Sequence, residues 1–319
     1  MNTKTIASTR EAAADAILEA ALKDPKVVFV SADSVKAARA TKFAATLPDR
    51  LFEMGIAEQT AVAFAAGMAS CGYKPFVMTY ANFITMRACE QVRNYTGYTH
   101  LGVKLIGLNG GVHGGEREGV THQSIEDLAI LRAIPGMEIV VPADPGQTRK
   151  ATFAMLDRPG PGYIRVGCGR EPVLCAEDEP FVFDKLHVMR KTGSDAVVFA
   201  IGPVLRNVLE AAERLEREGI GITVVDLHTL KPLDSDGVKD LIATAKTVIT
   251  VEDHNIIGGL GSAVAEVMAE SGSGKRLTRL GLQDVFGVSG EGNALLDHFG
   301  MSAETIAETV KRALASLDS

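Results

Sequence analysis

The sequence predicts an α/β fold made of two doubly wound domains, the first with a mainly parallel sheet. Three observations predict it: short apolar β-branched runs alternate with helical patterns, the alternation is interrupted once, and 46% of the 319 residues are hydrophobic. Apolar strands separated by helices are typical of parallel sheets that helices cover on both faces. A chain of this length usually forms about two domains.

The first half of the chain contains five apolar runs of strand length. They are VVFVS at 27–31, FVMT at 76–79, VKLIGLN at 103–109, EIVV at 138–141 and YIRV at 163–166. A Ser8-x-x-Glu11 capping box predicts the start of the first helix, and Asp144 before Pro145 predicts the start of another. Further helices are predicted at 57–70, 82–96 and 124–134. We assign residues 1–175 to this first domain.

Residues 176–190 break this rhythm, because the stretch is acidic and contains Pro180. We interpret it as a linker and assign 191–319 to a second, smaller domain. The alternation restarts there, with strands predicted at 196–202, 222–227 and 247–253. Helices are predicted up to about 218, from near Gly261, and at 303–316, where Ser302 is the expected N-cap.

The composition argues against several classes of protein. The net charge of −7 is unlike that of nucleic-acid-binding domains, which usually carry a basic face. The four cysteines form no CxxC pair, so neither a zinc ribbon nor a thioredoxin-like motif is predicted, and no metal ligands are assigned. The N-terminal segment lacks the apolar core of a signal peptide, and no run of 18 apolar residues exists. We therefore expect a cytoplasmic protein.

Three short segments carry side chains suited to chemistry. Glu58, in MGIAEQ, opens an apolar helix. A carboxylate there usually interacts with the helix dipole, but a buried and unpaired one is typical of a functional group. Tyr80 and Phe83, in TYANF, either join the core or form a wall for a flat ring. His122 lies in a glycine-rich loop, which favours a functional histidine over a core one.

Two glycine clusters, GGVHGGEREG at 110–119 and GGLG at 258–261, match neither GxGxxG after a first strand nor GxxxxGK[ST]. Such clusters mark turns more often than phosphate sites, so they do not by themselves predict a nucleotide-binding enzyme. We interpret His254, in VEDH, and the GGLG turn as packing and capping groups of the second domain.

Five motifs lie in order along the chain: MGIAEQ, TYANF, GEREGVTHQSIEDLAILRAIPGMEIVVPAD at 115–144, YIRVG, and VEDH with GGLGSAVAE. Together they resemble the pyrimidine-binding and C-terminal domains of transketolase, from about Thr9 to Leu317. The likeness is to split transketolases, in which this half is a separate subunit. It implies a thiamine diphosphate-dependent transferase that moves a two-carbon ketol unit from a ketose, expected to be a phosphate, to an aldehyde.

The resemblance also implies roles for individual residues. Glu58 matches the glutamate that hydrogen-bonds N1′ of the cofactor's aminopyrimidine, so that the 4′ nitrogen can accept a proton. Tyr80 and Phe83 match aromatic residues that stack on this ring, and His122 matches a histidine beside the reacting substrate. The remaining matched positions are Asp33, near the cofactor, and Glu118, in place of an acidic residue that contacts a substrate hydroxyl.

The sequence departs from the family where the sugar phosphate binds. Cys168 replaces the arginine that ends YIRLGR, and Ala37 replaces a serine. Four basic residues remain candidates for the acidic end of the substrate: Arg10, Arg170, Lys36 and Arg39. The donor and acceptor sugars, and whether they are phosphorylated, stay open.

The family motif that holds the diphosphate and Mg²⁺, GDG with a downstream Asn, is absent from the sequence. The resemblance therefore implies that Mg²⁺ is held mainly by a partner, an N-terminal transketolase subunit. We predict that this chain alone is inactive and forms a homodimer. With the partner we expect a heterotetramer that contains two copies of each subunit.

Three alternatives stay open. The β subunit of a 2-oxoacid dehydrogenase has similar length and domain pairing, although its HSQ-type loop is less like THQSIEDLAILRAIPGM. A deoxyxylulose-phosphate synthase-like activity would normally reside on a single chain with its own GDG motif. A non-catalytic transketolase-like interaction subunit would account for the lost phosphate-binding groups. The presence of Glu58, Phe83 and His122 argues against this last alternative.

Overall fold

The computed structural model describes residues 6–116, 118–176 and 178–317. They form the predicted α/β architecture, with two sheets that are mainly parallel and are packed against helices. The outer ends of the two predicted domains, 1–5 and 318–319, lie outside the described residues. None of the described helices is both long and apolar enough to cross a membrane.

The strands are numbered in chain order. They are β1 (Ile6–Ala7), β2 (Val27–Ser31), β3 (Leu51–Glu53), β4 (Lys74–Tyr80), β5 (Lys104–Leu108), β6 (Glu138–Val140), β7 (Gly162–Arg165), β8 (Glu171–Pro172), β9 (His187–Lys191), β10 (Ala196–Ile201), β11 (Ile222–Asp226), β12 (Thr229–Lys231), β13 (Thr247–Asn255) and β14 (Leu277–Leu282). β1 and β8 form a short antiparallel pair beside the larger sheets.

The helices are numbered in the same way. They are α1 (Thr9–Lys23), α2 (Thr41–Thr46), α3 (Glu58–Ser70), α4 (Cys89–Gln91), α5 (Gly111–Gly114), α6 (Asp127–Arg132), α7 (Pro145–Leu156), α8 (Leu205–Arg217), α9 (Ser235–Thr244), α10 (Leu260–Glu270), α11 (Gly292–His298) and α12 (Ala303–Ala315). The predicted caps are present: Ser8, Asp144 and Ser302 each accept a hydrogen bond from a backbone N–H in the first turn.

The first sheet has the strand order β12-β6-β7-β5-β4-β2-β3. Its neighbours are parallel except at β12, which pairs antiparallel with β6. Strands β2, β5 and β7 are buried along their whole length, as expected for a sheet covered on both faces. β12 belongs to the second half of the chain and was not predicted, so the sheet of the first domain extends across the predicted boundary.

The second sheet has the order β14-β13-β10-β11-β9. β9 lies at its edge and pairs antiparallel with β11. It begins at His187, so residues 187–190, which we predicted as linker, form part of this sheet. The segment HVMRK alternates little in polarity and stays partly exposed, which is why its pattern did not indicate a strand.

Two hydrophobic clusters contain residues of both domains, and the first of them connects the two sheets. It contains Leu128 and Ile139 of the first domain together with Phe199, Leu260 and Val264 of the second, and all five are buried. Burial of each such side chain contributes roughly 1.5–3 kcal/mol. The relative position of the two domains is therefore set by packed core.

The helix predicted at 82–96 is present but irregular. Wide turns, meaning π-helical turns with bonds between residues five apart, occur at Phe83–Arg87 and Val92–Tyr98, on either side of α4. In the first of them, Ala88 N donates to Phe83 O. The Thr85 hydroxyl donates to the Ala81 carbonyl at 2.6 Å, a local bond of the kind that bends helices. Wide turns of this kind are frequent at functional sites.

The helix predicted at 124–134 is shorter than expected, since α6 covers only Asp127–Arg132. Ser124 instead forms an extended bridge with Gly110. Gly111 N donates to Ser124 O at 2.7 Å, and Ser124 N donates to Asn109 O at 3.3 Å. The start of the predicted helix therefore closes the base of a loop, residues 110–124, that carries His122. We call this segment the histidine loop; its residue Arg117 is not described.

Candidate active site

The Glu58 carboxyl lies at the first residue of α3 and is almost fully buried, with 1% of the residue exposed. No side chain caps this helix at Ala57, so the free N–H groups of the first turn favour a negative charge there. Arg87 provides a partner, with Nη1 2.7 Å from Glu58 Oε2. Glu58 is therefore a buried carboxylate in an ion pair that the sequence did not predict.

Three rings meet next to this ion pair. Tyr80 ends β4, Phe83 begins the wide turn, and His122 comes from the histidine loop. The His122 ring lies 4.8 Å from Tyr80 and 5.0 Å from Phe83, both edge to face, and the Tyr80 and Phe83 centroids are 5.9 Å apart. Such edge-to-face pairs are favourable arrangements of aromatic rings. The structure thus brings together three residues predicted separately.

Arg87 connects the carboxylate to the rings. Its guanidinium carbon lies 4.4 Å from the Phe83 ring centroid while the same group pairs with Glu58. Both contacts depend on the wide turn at Phe83–Arg87, which sets the direction of Arg87 relative to Phe83. One face of Phe83 is therefore covered by a cation, so a flat ligand ring can use only the other face.

His122 is held by its neighbours on the histidine loop. Thr121 Oγ1 lies 3.0 Å from His122 Nδ1, a contact whose donor depends on the tautomer. Asn82 Nδ2 donates to the Thr121 carbonyl at 3.0 Å, which connects the loop to the segment that carries Phe83. Because Nδ1 faces Thr121, Nε2 is the His122 nitrogen that can form a hydrogen bond with a ligand.

Charged groups predicted for the site act on the Tyr80 hydroxyl. Burial raises the pKa of Tyr80, the carboxylates of Glu118 and Asp33 raise it further, and Arg10 opposes them. All three charges are therefore close enough to Tyr80 for their fields to matter. Asp33 is exposed, has a φ of 52°, and its N–H donates to Glu53 Oε1 at 2.6 Å.

Arg10 is only 6% exposed and is already well bonded. Its Nε donates to Gly167 O at 2.9 Å, Nη1 donates to Ala37 O at 3.3 Å, and Nη2 bonds Asn109 Oδ1. Burial lowers the pKa of this guanidinium, and the negative charges of Glu118 and Glu171 partly oppose that shift. Arg10 therefore positions the ends of several loops as well as offering a positive charge.

The resemblance implies an arginine at the position of Cys168. Burial raises the pKa of its thiol to about 12, so the side chain is uncharged at neutral pH. It cannot supply the positive charge that an arginine would give to an anionic substrate.

The other predicted basic groups lie on two segments that flank Arg10. Lys36 and Arg39 are exposed on the segment after β2, and neither forms an ion pair within the described residues. Arg170 pairs with Glu116 and lines a cavity between the two domains, together with Arg165 and Arg206. Arg10 lies between these two segments, because its Nη1 donates to Ala37 O and a Cβ at Gly169 would lie 3.6 Å from Arg10 Cδ.

Sequence reasoning missed a buried polar network at the domain boundary. Tyr163 and Arg165 both donate to Asp127 Oδ2, at 2.6 and 2.9 Å. Arg165 Nη2 also donates to the carbonyls of Ser124 and Asp253, at 2.7 and 3.0 Å. The motif YIRVG contributes two of these side chains, but no pattern in the sequence pairs them with Asp127.

His254 and Glu252 agree in part with the packing and capping roles assigned to this segment. Glu252 accepts hydrogen bonds from Leu260 N and Gly261 N at 2.7 and 2.8 Å and so caps α10. His254 is fully buried, and burial lowers its pKa to about 4, which makes it neutral at pH 7. Asp253, between them, bonds instead to the histidine loop of the first domain.

The described residues contain no cluster of three or more histidine, cysteine, aspartate or glutamate side chains that could hold a metal ion. They do contain a buried polar atom without a hydrogen-bond partner next to Phe83, namely Asn82 Oδ1. The arrangement therefore offers a carboxylate, aromatic surface and a free polar atom to a flat heteroaromatic ring.

Family models match most of the chain. The transketolase pyrimidine-binding domain matches residues 6–167, and the transketolase C-terminal domain matches residues 184–306. A 6-deoxy-6-sulfo-D-fructose transketolase subunit from a Clostridium strain is 36% identical over 93% of this chain and 91% of its own length. One of the subunits of an apulose-4-phosphate transketolase from Phocaeicola vulgatus is 36% identical over 94% of this chain and 95% of its own.

A solved structure gives the same result. A protein described as a split-gene transketolase, in an inactive β4 tetramer, aligns with a TM-score of 0.89 and 39% identity, covering 97% of this chain and 99% of that one. These likenesses support a transketolase subunit over the β subunit of a 2-oxoacid dehydrogenase. The chain belongs to the transketolase family and corresponds to the C-terminal subunit of a split transketolase.

Proposed function

We propose that this subunit supplies the pyrimidine side of a thiamine diphosphate site and works with an N-terminal transketolase subunit. The observation that carries the proposal is the buried Glu58 carboxylate beside the rings of Tyr80, Phe83 and His122. A buried carboxylate at a helix N-terminus, next to aromatic surface, suits a ring that has both a basic nitrogen and a flat face. The expected transferase class is that of transketolases, EC 2.2.1.

The residues present fit the aminopyrimidine end of this cofactor. Asn82 Oδ1, next to Phe83, is buried without a partner, as is expected where a ligand completes the bonding. When bound, thiamine diphosphate supplies the chemistry that breaks and forms the carbon–carbon bond. Glu58 would share a proton with N1′ of its ring, and Tyr80 and Phe83 would fix the plane of that ring.

Two further side chains would act on the substrate. His122 Nε2 is free to hold or move a proton at a substrate oxygen, because Nδ1 faces the Thr121 hydroxyl. Glu118 is exposed and within electrostatic reach of Tyr80 and Arg10, so its carboxylate can accept a hydrogen bond from a sugar hydroxyl. Asp33, whose charge also reaches Tyr80, would contribute to the field around the cofactor.

The diphosphate and Mg²⁺ would be held mainly by the partner subunit. Mg²⁺ requires oxygen ligands in octahedral geometry, and the described residues offer no acidic cluster of that kind. The GDG motif that performs this task in the family is absent from the sequence. We therefore assign to this chain no metal ligands.

The substrate would be a ketose donor and an aldehyde acceptor with an anionic end. One relative is named for apulose-4-phosphate and another for a sulfonated fructose, so both phosphate and sulfonate occur among similar proteins. With Cys168 neutral, the positive charge at that end would come from Arg10, Lys36, Arg39 and Arg170. Arginine and lysine form charge-assisted hydrogen bonds with either group.

We further propose a heterotetramer with two copies of each subunit, located in the cytoplasm and engaged in carbohydrate metabolism. The similar protein that assembles as an inactive β4 tetramer supports self-association of this chain and inactivity without a partner. The position of β9 favours a second domain that starts at about residue 187, after a first domain of 1–175, with β12 crossing between them.

The test is an assay of the chain mixed with an N-terminal transketolase subunit, thiamine diphosphate and Mg²⁺. Transfer of a ketol unit from a ketose phosphate or sulfonate to an aldehyde is the expected result. Decarboxylation of a 2-oxoacid, or cofactor binding without turnover of any ketose, would contradict the proposal. The latter outcome would indicate a non-catalytic interaction subunit.

A further inference from the structure

We infer that Asp253, on β13 of the second domain, is a positioning residue that holds the histidine loop of the first domain. Its catalytic consequence rests on the proposed function, in which His122 addresses the substrate. The structural part of the inference does not depend on the cofactor. Asp253 itself lies at the base of the loop and is not a catalytic residue.

Both oxygens of the Asp253 carboxylate bind the loop. Oδ1 accepts a hydrogen bond from Val112 N at 2.9 Å, and Oδ2 accepts one from His113 N at 3.1 Å. These are free N–H groups in the first turn of α5, so the carboxylate caps this short helix from another domain. Asp253 is 6% exposed, and hydrogen bonds from N–H groups to a buried carboxylate are among the stronger ones in proteins.

Gly111 makes these contacts possible. Its φ is 81°, in the region that favours glycine, and a Cβ at this position would collide with the Asp253 carboxyl group. The glycine therefore serves both the turn and the close approach of the carboxylate. This pairing accounts for one glycine of the GGVHGG cluster that the sequence left without a function.

Arg165 fixes Asp253 from the other side. Its Nη2 donates both to Asp253 O and to Ser124 O, and Ser124 O also accepts from Gly111 N, which closes the base of the loop. The same guanidinium is neutralised by Asp127 Oδ2 at 2.9 Å. Asp253 is thus held by the first domain through its backbone as well as through its carboxylate.

Other bonds from the second domain reach the same loop and its flanks. Gln123 Nε2 donates to Val288 O at 3.0 Å, and Asn255 N donates to Ile125 O at 2.9 Å. Gly292 N donates to Glu116 Oε2 at 2.7 Å. The second domain therefore contacts the loop near its start, in its middle and at its end.

The position of α5 is transmitted to His122 through tight backbone packing. A Cβ at Gly115, just after α5, would lie 2.7 Å from His122 O and 2.6 Å from Gln123 Cγ, so the two segments touch. Gly119 N donates to Gly115 O at 3.1 Å, and His122 N donates to Gly119 O at 2.9 Å. A displacement of α5 would therefore move the backbone of His122.

The first test uses hydrogen exchange on the full-length chain alone. In Asp253→Asn, one carboxylate acceptor is replaced by an amide N–H that faces the loop donors. We expect the amides of Val112 and His113 to exchange about tenfold or more faster than in the wild type. Gly111→Ala leaves Asp253 in place but pushes the loop away from its carboxylate, so we expect the same two amides to exchange faster. This variant provides the test if Asp253→Asn does not fold.

Glu252→Gln is the matched control. Glu252 is the neighbouring residue on β13, is also buried, and also accepts two backbone N–H bonds, but within its own domain. We expect this change to loosen α10 and to leave exchange at Val112 and His113 as in the wild type. Unchanged exchange at these amides in Asp253→Asn, or equal loosening of them in Glu252→Gln, would overturn the inference.

The second test measures turnover in the complex with an N-terminal subunit. In Asp253→Asn we expect kcat to fall about 10- to 100-fold, while KM and cofactor affinity change by less than about threefold, because a small misplacement of a reacting group mainly affects chemistry. A rise in KM with unchanged kcat would contradict a positioning role. Hydrogen exchange is measured without cofactor, so its result does not depend on whether the proposed function is correct. Conversely, an exchange result that overturns the inference would leave the proposed function untouched.

Discussion

The aromatic face around Glu58 and the buried network at the domain boundary differ in how exposed their side chains are. On the aromatic face, Glu58 is paired through a half-exposed Arg87, and Tyr80, Phe83 and His122 are each partly exposed. At the boundary, the Arg165 guanidinium donates to Asp127 Oδ2, Ser124 O and Asp253 O, and Tyr163 donates to the same Asp127 oxygen.

This difference separates two tasks. Tyr163, Arg165 and Asp127 are buried and bonded to one another, so the protein itself holds their geometry. The aromatic face presents partly exposed ring surface, which a ligand or a partner would cover. We therefore assign chemistry to the exposed region and positioning to the buried one.

The largest expected effect is at Glu58. We predict that Glu58→Gln lowers turnover of the reconstituted complex about 10²- to 10⁴-fold without unfolding the chain, because an amide cannot exchange a proton as a carboxyl group can. Steady-state kinetics and circular dichroism check this. Turnover within a few-fold of wild type would mean that the aromatic face is not the chemical region.

The aromatic rings should show a smaller effect on cofactor affinity. We predict that Phe83→Ala weakens thiamine diphosphate binding more than Tyr80→Ala does, because Phe83 matches the family position more closely. Ring stacking contributes roughly 0.5–1.5 kcal/mol beyond the buried area, about two- to tenfold in affinity. Titration calorimetry on the reconstituted complex measures it. Equal affinity in wild type and Phe83→Ala would refute the stacking role.

Single substitutions of the basic groups predicted to bind the acidic end of the substrate should have a smaller effect on catalysis than the changes above. We predict that Lys36→Gln and Arg39→Gln each raise KM for phosphorylated ketoses about two- to fivefold, the range expected for exposed charge pairs. Arg10 and Arg170 are expected to contribute too, but their bonds to Gly167 and Glu116 give them structural roles. If KM stays unchanged at all four positions, the substrate end is not an anion read by these residues.

The boundary offers a prediction on pH that does not involve turnover. Burial raises the pKa of Asp226 to about 7, and its Oδ2 accepts a hydrogen bond from Gln147 Nε2 across the boundary at 2.6 Å. A carboxyl with a raised folded-state pKa destabilises the fold progressively as pH rises from its ordinary value toward 7, since the unfolded chain ionises first. We predict that the Tm of Asp226→Asn, relative to wild type, increases between about pH 4 and pH 7.

Asp195→Asn is the control with the opposite sign. A hydrogen bond from Lys246 lowers the pKa of Asp195, so its contribution to stability is present above the ordinary pKa of aspartate and is lost in acid. The variant should be less stable than wild type at neutral pH and similar to it in acid. A Tm difference for Asp226→Asn that does not change with pH would contradict a neutral buried carboxyl.

The sequence predicted the local structure well, because caps and apolar runs are encoded by neighbouring residues. Ser8, Asp144 and Ser302 cap helices as expected, and Tyr80 and Phe83 lie on one surface because they are three residues apart. The resemblance to the transketolase family also predicted that His122 and Glu58 belong to this site. The spacing of these residues along the chain does not predict it.

The missing parts depend on distant contacts. Arg87 pairs with Glu58 only because a wide turn directs it there, and the two are 29 residues apart. Asp253 lies 141 residues from Val112 and bonds a backbone N–H, which has no signature in the sequence. β12 was missed because three residues that cross to another domain's sheet carry too little periodicity to be recognised.

The most direct test of the split-site proposal is turnover by the purified chain with and without an N-terminal transketolase subunit, at the same concentrations of thiamine diphosphate, Mg²⁺, ketose phosphate and aldehyde. We predict no ketol transfer by the chain alone, because the aromatic face is one half of a site, and transfer once the partner is added. Robust transfer by this chain with no second polypeptide present would contradict the proposal.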